Sequence, residues 1–164
     1  MSTQAKPLIT IAVIGESGVG KTTFIDTLAS GTHGSTEYTT LGRFITQKEV
    51  EFAEAKILFW EVGWSFRDGN SDQLNLDRAN GIILMYDIWR WSTFAALVNT
   101  ICILQDDIRD KSIILVGGKL ECHEGTTSKV SRRNGEALAK DRGAIFFQIC
   151  ARRRPDVKAA LDTL

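Results

Sequence analysis

A mostly parallel α/β sheet with helices on both faces is the architecture this sequence predicts, and three observations carry the prediction. Strand-like and helix-like segments alternate along the chain, the pattern that builds parallel sheets through crossover helices. Leu8 to Ile14, Gly81 to Tyr86 and Ser112 to Val116 are continuous apolar runs rich in β-branched residues, as expected of strands covered on both sides. The segments between them repeat apolar residues at helical spacing, as in Phe94, Leu97, Val98, Ile101 and Leu104.

Each element follows in order. Leu8 to Ile14 is the first strand, broken by the glycines of 15–20, and Lys21 to Ala29 is the first helix. Arg43 to Val50 and Lys56 to Trp60 are strand-like. The short gap from Glu51 to Ala55 suits a hairpin, so these two are expected to be antiparallel neighbours. Gly81 to Tyr86, Ser112 to Val116 and Ala144 to Ile149 complete a set of six strands. Ser92 to Asp107 and Ser131 to Arg142 are expected helices, the second ending at Gly143 as a C-cap. Pro155 suits the first turn of a last helix running to Leu164. The expectation is a six-stranded sheet with one antiparallel strand. The loops after Ile14, Trp60, Tyr86, Val116 and Ile149 then gather on the carboxyl rim, where such sheets bind ligands.

The 164 residues fit a single domain, 1–164. A chain of this size buries roughly two-thirds of its unfolded surface, so no staple is needed. Lys plus Arg and Asp plus Glu both number 20, a balance that argues against nucleic acid as a partner. Arg152, Arg153 and Arg154 read as a solvated run. Cys102, Cys122 and Cys150 form no Cys-x-x-Cys pair, which fits a reducing cytoplasm. The first residues lack the apolar core of a signal peptide, and no apolar run approaches the roughly 20 residues that span a bilayer. Leu164 is not a terminal cysteine, so no prenylation box is expected in this chain. Attachment to a membrane is expected only through a partner or a removed tail.

Gly15-Glu16-Ser17-Gly18-Val19-Gly20-Lys21-Thr22 matches the phosphate-loop pattern G-x-x-x-x-G-K-[ST]. Its glycines allow successive N–H groups to point at phosphate oxygens, and the following helix adds its positive end. Lys21 places a charge on the outer phosphates, and Thr22 offers its hydroxyl to magnesium. The expected ligand is a purine nucleoside triphosphate with Mg2+. Thr23 follows in the same first turn. A glycine-rich turn without a ligand is the plainer alternative, which the preceding strand and following helix disfavour.

With these residues in view, the chain resembles the Ras superfamily of small GTPases, and its Rab branch most closely, over nearly its whole length. Thr40-Leu41-Gly42-Arg43-Phe44 resembles the first switch, and Gly81 to Ile88 with Ser92-Thr93-Phe94 resembles the fourth strand and next helix of Rabs. Leu115 to Glu121 occupies the place of the base-reading motif, and Phe146 to Arg152 that of a Ser-Ala-Lys segment. The resemblance implies a P-loop NTPase G domain that binds GTP or GDP and acts in protein transport. It implies that Thr40 reaches Mg2+ and the terminal phosphate in the triphosphate state. Gly63 offers an N–H to that phosphate, Lys119 lies along the base with Glu121, and Ala151 and Arg152 flank the guanine carbonyl. Phe44, Trp60 and Trp64 would meet an effector protein, and an exchange factor or activating protein would act on the switches. For Phe44 and Trp60, ordinary core packing stands equally open.

The departures from the family bear on activity. Asn-Lys-x-Asp becomes Gly118-Lys119-Leu120-Glu121. Glu121 keeps a carboxylate for two guanine N–H groups on a longer arm, but the asparagine that ties neighbouring loops is gone. One polar pair is worth about 1–3 kcal/mol, so guanine selectivity weakens by tens-fold. Trp-Asp-Thr-Ala-Gly-Gln becomes Trp60-Glu61-Val62-Gly63-Trp64, one residue shorter; a ciliary Rab-like GTPase is similar in this stretch. Glu61 replaces the magnesium-linked aspartate. Trp64 replaces the glutamine that orients the attacking water, and an indole, with one donor and no acceptor, cannot do so. No residue is therefore assigned as catalytic, and intrinsic hydrolysis is expected to be very slow. Trp64, Phe66, Trp89 and Trp91 are unusually aromatic for loop regions, read either as packing around a shortened switch or as a docking surface. Docking is favoured for Trp64 and packing for Trp89, while His33 and His123 read as loop residues. The expectation is a switch that recruits a partner when loaded. The alternative is a pseudo-GTPase that serves as a structural subunit, with or without nucleotide.

Overall fold

The computed structural model of the chain describes residues 5–30, 39–41 (backbone), 45–52, 54–63, 76–120 and 125–164. The strands are β1 (Leu8–Gly15), β2 (Thr39–Leu41), β3 (Ile45–Phe52), β4 (Ala55–Gly63), β5 (Gly81–Asp87), β6 (Ser112–Gly118) and β7 (Ile145–Gln148). They form one sheet in the order β2-β3-β4-β1-β5-β6-β7. Among the described residues the helices are α1 (Lys21–Ala29), α2 (Trp91–Ile103), α3 (Gln105–Ile108), α4 (Arg132–Asp141) and α5 (Arg154–Leu161), with a 3-10 turn at Leu76–Arg78. All six expected strands are present, and β3 alone runs against the others. The structure adds the edge strand β2, whose three residues are too few to show a two-residue period.

β1 lies at the centre, parallel to β4 on one side and β5 on the other. Successive side chains of a strand point to opposite faces, and the apolar runs fill both. Ile11, Val13, Ile83, Met85, Ile114 and Val116 pack with Phe24, Ile25 and Leu28 of α1 and Val157, Ala160 and Leu161 of α5. Ala12, Ile14, Ile82, Leu84, Ile113 and Leu115 pack with Phe94, Leu97 and Ile101 of α2, Ile108 of α3 and Ala139 of α4. The continuous apolar runs are thus strands buried on both sides, every residue of β5 included. β3 and β4 pair from Ile45–Val62 to Phe52–Ala55, a tighter hairpin than the expected gap.

Helix boundaries follow local chemistry. Ser131 caps α4 through a capping box, its Oγ accepting from the Asn134 N–H while Asn134 Oδ1 accepts from the Ser131 N–H. Gly143 follows at φ 63°, the left-handed region that glycine tolerates. The single helix expected over 92–107 is instead two, α2 and α3, separated at Leu104. Thr100 Oγ1 donates to Ala96 O at 2.8 Å, a back-bond that bends helices. Leu104 and Ile108 remain buried across the break, so the apolar spacing continues unaltered and does not register it.

Tyr86 provides a stability prediction. Its ring packs edge-on against Phe94, and Gly117 and Gly135 make room for it: a Cβ at Gly135 would lie 2.4 Å from the hydroxyl. The buried Tyr86 hydroxyl has no hydrogen-bond partner among the described residues, and burial pushes its pKa well above the ordinary tyrosine value. Tyr86→Phe removes an unpaired polar atom while preserving shape. It is expected to stabilise the fold by about 1 kcal/mol, a rise of about 2–4 °C in melting temperature. A fall in calorimetry would show that the hydroxyl is satisfied in solution.

Candidate functional site

The carboxyl ends of the parallel strands bring the site together. Gly15 at the end of β1 is in register with Gly63 at the end of β4. Asp87 at the end of β5 is in register with Gly118 at the end of β6. The loop from Gly15 to Thr22 leaves this rim and turns directly into α1. Gly18 and Gly20 adopt φ 78° and 107°, which an L side chain rarely enters. Val19 between them is fully buried and anchors the loop to the α1-side core. No side chain caps α1, so its first N–H groups face the rim without a competing side-chain acceptor.

Lys21 is 5 % exposed. Its Nζ donates to Gly15 O and Glu16 O, both at 2.9 Å. Burial lowers its pKa, opposed by the charges of Glu61 and Glu16. The exposed Thr22 donates its Oγ1–H to Glu61 Oε1 at 2.6 Å, so the longer acidic arm on β4 reaches the start of α1. A hydroxyl and a carboxylate side by side are hard oxygen donors of the kind Mg2+ takes. Thr23, in the same turn, is half-buried.

The opposite wall is built by β6 and β7. Lys119 follows β6 at φ 66°, and its Nζ lies 3.0 Å from Asp87 Oδ2. The indole N–H of Trp89 donates to Lys119 O at 2.8 Å, and Trp89 packs partly into the core as expected. A Cβ on Gly118 would lie 3.2 Å from Val19 O, and one on Gly20 would lie 3.9 Å from Ala151 Cβ. Both loops therefore back directly onto the phosphate loop. Arg152 is exposed beside the buried Ala151, and Arg153 and Arg154 are exposed as expected.

The structure thus brings Gly15 to Thr22, Gly63, Lys119 and Ala151 to one rim. Trp60 is half-buried on β4, its indole nitrogen without a hydrogen-bond partner among the described residues. Thr40 lies in β2, described by its backbone alone. Phe44, Trp64, Phe66, Glu121, Cys122, His33 and His123 lie outside the described residues.

Two residues of the rim were missed from sequence. Asp87 is 2 % exposed. Burial raises its pKa, but the Trp89 N–H and the cations of Lys119 and Arg90 outweigh that and hold it below the ordinary aspartate value. Arg90 spans from Asp87 to the phosphate loop. The available signal was an acid ending an all-apolar strand, since a buried carboxylate requires cationic partners. Among the described residues, no helix is long and apolar enough to cross a membrane.

Comparison with known proteins agrees with this geometry. The Ras family model matches residues 10–164. Ras-related protein Rab-15 of Homo sapiens is 27% identical over 168 residues, covering 100% of this chain and 78% of its own. Ras-related protein Rab-13 of Rattus norvegicus is 29% identical over 160 residues, covering 96% and 78%. Ras-related protein RABC2b of Arabidopsis thaliana is 30% identical over 158 residues, covering 94% and 76%. With its phosphate loop on the carboxyl rim of such a sheet, the chain belongs to the Ras family, as a Rab-like, GTP-binding small GTPase.

Proposed function

We propose that residues 1–164 act as a single-domain switch that holds GTP with Mg2+, hydrolyses it slowly or not at all, and recruits a protein partner when loaded. The observation that carries this reading is the intact cradle. Lys21 is held under the loop by Gly15 O and Glu16 O, so its ammonium group is pre-positioned for anionic oxygens. In this reading the N–H groups from Gly15 to Thr23 surround the phosphates, and Gly63 adds another. Thr22, Thr40 and Glu61 hold Mg2+, which neutralises phosphate charge when bound. Lys119, Glu121, Ala151 and Arg152 hold the base. An effector docks on Phe44, Trp60 and Trp64 in the cytoplasm or at a membrane surface in protein transport. An exchange factor or activating protein acts on the same switches.

The second reading, a pseudo-GTPase subunit, draws on Glu61 and Gly118 standing where the family carries the magnesium-linked aspartate and the loop-tying asparagine. One experiment separates the two. Nucleotide released by denaturing the purified protein is identified by chromatography, and phosphate production is followed for hours with and without cell extract. Intact triphosphate supports the slow switch. Diphosphate, with phosphate release in extract, points to a GTPase completed by an activating protein. Protein purified empty, which also fails to take up added GTP, supports the structural subunit.

Trp64→Gln tests the assigned block. The shortened segment still misplaces the new side chain, so single-turnover hydrolysis is expected to rise by no more than about tenfold, far short of the 10²–10⁴ a positioned group supplies. A larger rise would show that Trp64 alone blocks the reaction.

A further inference from the structure

We propose that Asp87 and Arg90 form a positioning bracket between the phosphate loop and the Lys119 loop, Arg90 governing how tightly phosphates are held and Asp87 how strictly the base is selected. The proposal rests on the reading of this rim as a nucleotide site. Neither residue was assigned to the site by motif.

The bracket is a continuous polar path. Asp87 Oδ1 accepts from the Trp89 N–H at 2.9 Å, and Oδ2 accepts from Arg90 Nε at 3.0 Å. The same Oδ2 lies 3.0 Å from Lys119 Nζ. Arg90 Nη2 then donates to Ser17 O at 3.1 Å. One guanidinium thereby joins the end of β5 to a loop with two left-handed glycines, and one carboxylate joins it to the lysine of the opposite loop. Gly118, which backs onto the phosphate loop at Val19 O, has no side chain with which to make such a tie.

Two consequences follow. A trans peptide directs its C=O and N–H in opposite senses. Holding Ser17 O toward Arg90 therefore turns the Gly18 N–H away from Arg90 and fixes the orientation of one amide of the cradle. Asp87 also fixes the head of Lys119, while the Trp89 indole fixes its carbonyl. The base-side loop is thus held at both ends of one residue. Two cations share one carboxylate, which leaves a net positive charge beside the cradle. Lysine at position 90 would keep the charge but not the planar fork that serves two acceptors at once.

The test uses the full chain with Mg2+ and measures dissociation constants for GTP and ATP in wild type, Arg90→Ala, Arg90→Lys and Asp87→Asn. Arg90 is 43 % exposed, so its truncation opens no cavity, and nucleotide-free melting should match wild type within a few degrees. Arg90→Ala is expected to weaken GTP and ATP alike, by about tenfold for one charge-assisted contact, with their ratio unchanged. Arg90→Lys recovers only part of that loss. Asp87→Asn is expected to lower the GTP-to-ATP preference by about tenfold. Unchanged affinity in Arg90→Ala overturns the bracket, as does an altered GTP-to-ATP ratio in that variant or full recovery by lysine. If Asp87→Asn fails to fold, the two Arg90 variants still decide. Wild type that binds neither nucleotide overturns the underlying reading, and the bracket with it.

Discussion

Lys21→Ala is expected to lower GTP affinity by about a hundredfold or more, while the nucleotide-free protein remains folded. The ammonium group lies at the foot of the loop, 2.9 Å from each of two carbonyl oxygens, and is almost wholly buried. Hydrogen bonds to charged groups are worth about 1.5–3 kcal/mol each, and a phosphate chain offers several acceptors. Loss of two such contacts reaches a hundredfold, because each 1.4 kcal/mol is a factor of ten. Stability changes less. Burial already disfavours the charged lysine, as its lowered pKa reflects. Removing it abolishes that desolvation penalty, and the half-buried Glu16 lies where water can replace a donor. Calorimetric titration with GTP and Mg2+, paired with a melting curve without nucleotide, separates the two effects. Unchanged affinity would mean that the phosphates bind elsewhere.

Gly15→Ala is expected to destabilise the fold by about 3 kcal/mol, the upper part of the range for overpacked cores, which corresponds to about 6–12 °C in melting temperature. A Cβ there would sit 2.4 Å from Met85 O and 3.0 Å from Val19 Cγ2. The first obstacle is backbone of the neighbouring strand and cannot rotate away, so β1 and β5 must part at the rim. Gly18→Ala provides the contrast. Its Cβ would meet only Arg90 Nη2, at 3.4 Å, and its restriction is the φ of 78°. That substitution is expected to cost about 1–2 kcal/mol of backbone strain. Equal melting temperatures for the two variants would show that the approach of β1 to β5 is not tight in solution.

These glycines mark how far the sequence speaks for itself. The motif shows that the loop needs glycine, but Gly15 is required by a neighbouring strand and Gly18 by its own dihedral angle. Helix α1 was read with its observed limits because the loop glycines mark its start and its apolar face continues to Ala29. The edge strand β2 and the break at Leu104 were not read, since three residues carry no period and Leu104 keeps the spacing of the helix before it. The placement of Lys21, Thr22, Lys119 and Ala151 on the rim was legible because each belongs to a contiguous motif. Arg90 was not, because its partner Ser17 is 73 positions away.

The sequence by itself determined the layering of the sheet, the place of the rim and the residue types on it. Apolar runs, helical spacing and glycine patterns act over a few residues, and burial follows from them. Only the tertiary structure decided which charges meet. Glu61 reaches Thr22 across 39 positions, and Asp87 gathers Arg90 and Lys119 on one carboxylate. Such pairings depend on the register of strands and on ångström-scale distances between loops, which no local pattern encodes.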